Sequence, residues 1–372
     1  MRFAFCLFRY FPFGGLQRDF LRIAEECVRR GHSVDVYTMS WAGEKNPLIP
    51  VNIISCSGWQ NHSRNKSFAQ QVQSILSQKK YDCVVGFNKM PGLDVYYAAD
   101  TCFQAKARSQ HGTWYRFTPR YRQRVAEEKM VFAKDGKTQI LLLTTVQQTE
   151  FVRYYKTPVN RFHLLPPGIA RDRIAPTNAA EIRAATREEF GVRPEQFLLL
   201  LVGSGFKTKG LDRVLLGLAA LPNELKKRAK LFVIGDDKAT QFLQQAKSLN
   251  IAEQVIFLGG RNDVARFFLA ADLLLHPAYN ESAGAVLLEA VISGLPVLTT
   301  DVCGYAHYVK EAKAGKVLLS PYQQTAFNQA LRDMLLSPDR KQWQQNGLAF
   351  AKQADIYTMP ERAADLIESF SS

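Results

Sequence analysis

The chain has no run approaching the ~18 apolar residues that a membrane-spanning helix needs, so a bilayer-embedded protein is not expected. Its six cysteines (Cys6, Cys27, Cys56, Cys83, Cys102 and Cys303) are scattered and contain no Cys-x-x-Cys pair. That speaks against a disulfide framework or a zinc cluster and fits a reducing compartment. Low-complexity tracts and repeats of solenoid length are missing too. The opening MRFAFCLFRYFPFGG has no long apolar core and meets Arg9 early, so it reads as a first strand of a cytoplasmic protein rather than a signal peptide. Several familiar signatures fail. Residues 203–210, GSGFKTKG, have Thr208 where a dinucleotide fingerprint needs its third glycine, and Gly210 is followed by Leu211 where a Walker loop needs Gly-Lys-Ser/Thr. No two aspartates lie two apart, no histidine pair has metalloprotease spacing, and there is no Gly-x-Ser-x-Gly elbow. No metal site and no resident cofactor are expected.

Acidic residues are scarce in the amino-terminal half. Residues 1–168 hold 24 Lys and Arg against 12 Asp and Glu, whereas residues 169–372 hold 24 against 22, within a formal net charge of +14. A basic half suggests an anionic partner: nucleic acid, a phosphorylated lipid or an anionic membrane surface.

The 372 residues suggest two domains. The apolar run Phe3–Phe8, the Gly14-Gly15 pair, helically spaced Phe20, Ile23, Ala24, Cys27 and Val28, then Val34–Tyr37 form a β–glycine loop–α–β opening of a parallel sheet. Further apolar runs fall at Val51–Ile54, Cys83–Phe87, Ile140–Leu143 and Phe162–Leu165. Pro166-Pro167-Gly168 breaks the pattern where the charge balance shifts, which sets a boundary between domains 1–168 and 169–355. Beyond it, strands at Phe197–Val202, Leu231–Ile234, Val255–Leu258, Leu273–His276 and Pro296–Leu298 alternate with helices at Leu211–Leu221, Ala239–Leu249, Val264–Ala270 and Gly284–Ser293. Two doubly wound α/β domains imply a cleft, with ligands at the carboxyl ends of the strands.

Residues 276–300, HPAYNESAGAVLLEAVISGLPVLTT, carry the chemistry. A strand ends at His276-Pro277, and Ser282 is placed to cap a helix that starts near Ala283. Ala283, Gly284 and Ala285 leave the first-turn N–H groups bare, an anion site suited to a diphosphate. Glu289 lies about two turns on, roughly 10 Å along the axis, where its carboxylate can accept from ribose hydroxyls. Glu281, before the helix, can accept from a sugar hydroxyl. His111 and His276, each isolated in the sequence, are weaker candidates.

The two α/β domains, the Gly14-Gly15 loop and the Glu281…Glu289 pair resemble the retaining GT-B glycosyltransferases of family 4. FPFGGLQRDFLRIA, AADTC at Ala98–Cys102, LLPPGI, FLGGRNDV and LLLHPAYNESAG resemble, within that family, the enzymes that build the lipopolysaccharide core. The resemblance implies two Rossmann-like domains facing across a cleft, with a carboxyl-terminal helix from about residue 356 packing back on the first. It implies transfer of a hexose, glucose above others, from a UDP-sugar to an inner-core heptose at the inner face of the inner membrane. It places Glu289 on the ribose, Glu281 and the N–H groups of Ala283 to Ala285 on the sugar and diphosphate, Lys209 and Arg173 on the phosphates, and the backbone of Arg261 beside the uracil. Gly14 and Gly15 would let the first domain's backbone approach the donor. Asp100 matches a family aspartate that orients the acceptor hydroxyl, with a turn or helix-cap role as its alternative. One departure is Thr208-Lys209 where close relatives carry Arg-Lys, leaving Lys207 as a substitute charge. The same fold with UDP-galactose or a UDP-N-acetylhexosamine, or with another acceptor, is an alternative. A non-catalytic nucleotide or nucleic-acid binder is a third reading, disfavoured by the Glu281…Glu289 pair and Lys209.

Residues 103–132 hold seven Lys and Arg against two Glu, and Trp114, Tyr115, Phe117 and Tyr121 interleave with Arg116, Arg120, Arg122 and Arg124. Such a segment suits an anionic membrane surface or nucleic acid. No nucleic-acid motif accompanies it, and the acceptor that the resemblance implies is a phosphorylated lipid, so the membrane is the expected partner and nucleic acid is not.

Overall fold

In the computed structural model the chain forms two α/β units, one comprising Met1–Gly168 with Tyr357–Ser372, the other Ile169–Ile356. The structure describes every residue except Phe13, residues 58–60, His111 and Ser372, so the His111 candidate lies outside the described residues. Among the described residues no helix is long and apolar enough to cross a membrane.

The first unit is built on seven parallel strands, in the spatial order Val51–Ile53, Ser33–Thr38, Arg2–Cys6, Cys83–Gly86, Val95–Ala98, Gln139–Leu142 and Phe162–Leu164. The chain starts in the middle, winds to one edge and returns to build the other. The second unit repeats the plan with six parallel strands: Val255–Gly259, Ala229–Ile234, Phe197–Val202, Leu273–His276, Val297–Thr300 and Gly315–Leu318. In chain order that is 3-2-1-4-5-6, the order of a dinucleotide-type doubly wound sheet.

The strands Phe197–Val202 and Leu273–His276 are buried along nearly their whole length. Helices cover both faces of such a sheet, so its central strands read as unbroken apolar runs rather than alternating ones. Val95–Ala98, fully buried, and Gly315–Leu318, half-buried at the sheet edge, are strands that the apolar runs did not single out.

The Met359–Ser369 helix belongs to the first unit, where it packs on the Gly15–Arg29 helix. Arg30 joins the two by ion pairs to Asp365 at 2.7 Å and Glu368 at 3.2 Å, and His32 Nε2 lies 2.8 Å from Glu368. Half-exposed pairs of this kind contribute little individually. The apolar face of the helix, with Met359, Ala363, Ala364 and Ile367 buried, holds it in place.

Candidate functional site

In the second unit the winding reverses between Phe197–Val202 and Leu273–His276, so a crevice is expected at the carboxyl ends of these strands. The loops that leave them are residues 203–210 and 277–284. They are joined to each other and to the neighbouring strand. Tyr279 N–H donates to Thr208 O at 2.8 Å, and one Arg213 nitrogen donates to Pro277 O and Ala278 O, both at 3.0 Å. The Thr299 and Thr300 hydroxyls donate to His276 O and Ala278 O at 2.9 and 3.1 Å. Gly210 is where the loops touch most closely. Its φ is +80°, and a Cβ there would fall 2.1 Å from Pro277 O. Gly210→Ala should therefore cost at least about 1–3 kcal/mol in left-handed strain alone, with the clash added. Urea unfolding of the variant measures this, and an unchanged midpoint would refute it.

These loops bring Lys209 to Glu281, 72 residues further along the chain, and to its near neighbour His276. The Lys209 ammonium pairs with Glu281 Oε2, and His276 Nε2 lies 3.3 Å from the same oxygen. Lys209 and Glu281 are 20% and 14% exposed and His276 is fully buried. Burial works against the Glu281 charge, but the His276 hydrogen bond and the Lys209 charge outweigh it and bring the carboxyl down to about 2. Burial also works against a charged His276, but Cys303 and Glu281 outweigh it and raise the ring to about 9. Glu281's lowered value contributes stability above the ordinary 4.5 that is lost as pH falls towards 2. The raised value of His276 contributes stability below 6.5 that is lost as pH rises through about 9. At neutral pH Glu281 is thus a carboxylate that can accept from hydroxyls and has no proton to give. Lys207 does not join this group. Its ammonium bonds Asp212 at 2.6 Å and Tyr279 OH at 3.3 Å, on a side chain that is 62% exposed.

The helix after Glu281 begins later than the sequence suggests. It spans Ala285–Ile292, and its cap is Gly284, left-handed at φ 85°, not Ser282. The reason is that residues 281–283 are engaged elsewhere: Glu281 forms a parallel bridge with Cys303, and Ala283 O accepts from Tyr305 N at 2.7 Å. Ala283 and Gly284 therefore precede the helix, and the first-turn donors that lack an intrahelical acceptor start at Ala285. The small side chains still flank the positive helix end.

The later start also places Glu289 just over one turn in, about 6 Å along the axis, rather than two turns in. Glu289 is buried. Arg173 is anchored at the far end of this helix, where its carbonyl accepts from the Ser293 hydroxyl at 3.0 Å. Arg261 follows the strand Val255–Gly259 and turns its guanidinium into a two-bond pair with Asp263, both at 2.7 Å. A cavity of about 300 Å³ has Arg173, Ser293, Asp263 and Arg266 in its wall, so the Arg173 and Arg261 segments border one space. Among the described residues no group of three or more His, Cys, Asp and Glu could hold a metal ion.

The remaining candidates lie in the first unit. Gly14 precedes the Gly15–Arg29 helix with φ −84°, open to any residue. A Cβ on Gly14 would meet the Gln17 side chain and the Phe11 ring, while one on Gly15 would meet nothing within 4 Å. Asp100 is exposed just after the strand Val95–Ala98. It does not cap the helix Phe103–Gln110, because the buried Glu128 carboxylate takes the N–H groups of Phe103 and Gln104 at 2.7 and 3.1 Å. Glu128 also pairs with Lys89 at 2.6 Å and accepts from Tyr155 OH at 2.7 Å. Its place inside the basic segment gave no hint of this role.

That segment forms a 3-10 turn, Thr113–Phe117, and a helix, Pro119–Phe132. Trp114 and Phe117 are 83% and 65% exposed, and Arg116, Arg120 and Arg122 are exposed. Tyr121 departs from expectation. It is buried, against Tyr115 and Phe103 at 5.9 Å, because it shares the inward helix face with Glu128 and Phe132. Arg124 is partly neutralised by Glu127 at 3.2 Å.

A cationic side chain, two carboxylates and a helix head at the switch point of a doubly wound sheet define a site for a substrate that carries both a diphosphate and a sugar. Residues 13–173 match the family model "Glycosyltransferase Family 4", and residues 182–350 match "Glycosyl transferases group 1". The chain belongs to this glycosyltransferase family and has the GT-B fold. It is 47% identical over 365 residues, 98% of each chain, to the lipopolysaccharide glucosyltransferase WaaG of Escherichia coli K12. The crystal structure of WaaG, a glycosyltransferase involved in lipopolysaccharide biosynthesis, matches with a TM-score of 0.94 over 98% of this chain and 99% of that one. Anabaena Alr3699/HepE, crystallised with UDP and glucose, shares the fold at a TM-score of 0.78 and 17% identity, over 99% and 100% of the two chains.

Proposed function

We propose that this protein transfers glucose, with retention at the anomeric carbon, from UDP-glucose to an inner-core heptose of lipopolysaccharide. The observation that carries this reading is the Lys209–Glu281–His276 group before the Ala285–Ile292 helix, in a chain 47% identical along its length to a lipopolysaccharide glucosyltransferase. The reaction breaks the bond between the glucose anomeric carbon and the β-phosphate oxygen and forms one to the acceptor oxygen. The departing diphosphate takes the acceptor proton. Lys209 and the helix-head N–H groups stabilise the leaving charge, the preorganised electrostatics that often dominate catalysis; Arg173, whose backbone sits at the opposite end of that helix, would have to reach back along it to share this role. These cationic groups take the part a metal would otherwise play, so no resident metal is invoked. Glu281 accepts from glucose hydroxyls and Glu289 from the ribose, while the Arg261 backbone borders the uracil. Asp100, released from capping, orients the acceptor hydroxyl. The test is incubation with UDP-glucose, UDP-galactose and UDP-N-acetylglucosamine and a heptose-terminated core acceptor, with products read by mass spectrometry and anomeric NMR. Glucose transfer in the α configuration is expected. Preference for another donor would reassign the hexose, and no transfer from any would overturn the reading.

The same reading puts the enzyme on the inner face of the inner membrane, attached through residues 103–132. Exposed Trp114 and Phe117 beside Arg116, Arg120 and Arg122 support it. Each basic residue near an anionic surface contributes roughly 1 kcal/mol, so the triple replacement of these arginines by Gln should release most protein from anionic vesicles while UDP binding persists. Cosedimentation equal to wild type would move the attachment elsewhere, and retention on a DNA column instead would favour nucleic acid.

A further inference from the structure

We infer that His276 is a positioning residue for the donor sugar, acting through Glu281; this rests on the donor site proposed above. His276 closes the strand Leu273–His276, and its surroundings leave the ring little freedom. The side chain is fully buried, and the residue's carbonyl accepts from the Thr299 hydroxyl at 2.9 Å and from Ala278 N–H at 2.9 Å. The chain then reverses through Pro277 and returns Glu281 to the ring, Oε2 lying 3.3 Å from Nε2. A carboxylate can only accept, so Nε2 carries the hydrogen whether the ring is charged or neutral. Nδ1 is buried with no hydrogen-bond partner among the described residues, and the ring's two polar neighbours are Glu281, at Nε2, and the Cys303 thiol.

The titratable and charged groups facing this pair are few: Lys209 from the 203–210 loop and Cys303 from the segment bridged to Glu281. Lys209 binds the same carboxylate oxygen that His276 faces. A donor diphosphate competes with Glu281 for the Lys209 ammonium, since both are anions within reach of one cation. His276 makes no such exchange, because it is walled off from solvent. It therefore holds the carboxylate in place, ready to accept from the sugar, while Lys209 turns to the phosphate. Mobile Lys209 and fixed His276 divide the work of one charge partner.

Three readings of His276→Ala, His276→Gln and Glu281→Gln test this: steady-state transfer, UDP affinity by calorimetry, and melting temperature. His276→Ala should lower kcat by roughly 10- to 100-fold, the worth of one hydrogen bond to a charged group, with the UDP Kd within about twofold of wild type because UDP lacks the sugar that Glu281 meets. His276→Gln, which returns an N–H near the Nε2 position, should recover most of the loss. Combined with Glu281→Gln, loss of the ring should add little, since both act on one contact. The inference is overturned by a His276→Ala enzyme with wild-type kcat, by a folded His276→Gln enzyme no more active than His276→Ala, or by fully additive losses in the double variant. Failure of wild type to transfer from any UDP-sugar would instead sink the proposed function.

Discussion

Lys209→Ala should reduce turnover by about two to three orders of magnitude, the scale seen when one preorganised donor to developing charge is removed. Lys207→Ala should stay within about threefold of wild type. The two lysines are two positions apart, but the structure separates them. Lys209 turns inward to Glu281, and Lys207 turns outward to Asp212 and Tyr279. Thr208 stands between them, where the family resemblance leads one to expect arginine, and its carbonyl is spent on Tyr279 N–H. Lys207 is therefore turned away from the Lys209–Glu281 group, and in the proposed function the diphosphate charge rests first on Lys209. Steady-state kinetics on both variants decide the matter: equal losses would show that Lys207 leaves Asp212 when the donor binds. Thr208→Arg is the informative companion, and a lowered donor KM would show that the site had been short of one cation.

Glu289→Ala should raise the UDP dissociation constant by about 10- to 100-fold, the equivalent of one hydrogen bond to a charged group, with little change in melting temperature. The residue sits one turn into a helix whose Leu287, Leu288, Ala290, Val291 and Ile292 are buried and apolar. Alanine suits such a helix, so the fold is expected to tolerate the change. Calorimetry with UDP, which contains the ribose but not the transferred hexose, isolates this contact from those of Glu281. A folded variant with wild-type UDP affinity would remove Glu289 from the ribose.

The fold was legible because parallel strands buried on both faces read as apolar runs. Phe197–Val202 and Leu273–His276 coincide with the observed strands to the residue. Gly315–Leu318 escaped because an edge strand that begins on glycine and carries Lys316 has no such run. The Glu281…Glu289 pair was visible as spacing, but the helix start was not. Ser282 has the right chemistry for a cap, and only the pairing of Glu281 and Ala283 with residues 303 and 305 shows why it is not one. Tyr121 looked interfacial among its arginines, yet a helix turns every third or fourth residue of a basic stretch inward. His276 and Glu128 were weak or silent for one shared reason. Each acts through a partner, Glu281 in one case and backbone N–H groups of residues 103 and 104 in the other, and such pairings have no local sequence signature.

The first unit takes its last helix from residues beyond the whole of the second. On the ribosome, the face of the Gly15–Arg29 helix that Met359–Ser369 covers must wait, uncovered, while 188 intervening residues are made. Cys27, buried beside Glu368 in the finished unit, makes that face of the early chain a client for holdase chaperones, and Arg30 has neither Asp365 nor Glu368 until translation has passed them. The second unit, continuous in sequence, can mature first. Nascent chains arrested before residue 357 should accordingly show a protease-resistant second unit and a labile first one, and equal resistance of both would count against that order of assembly.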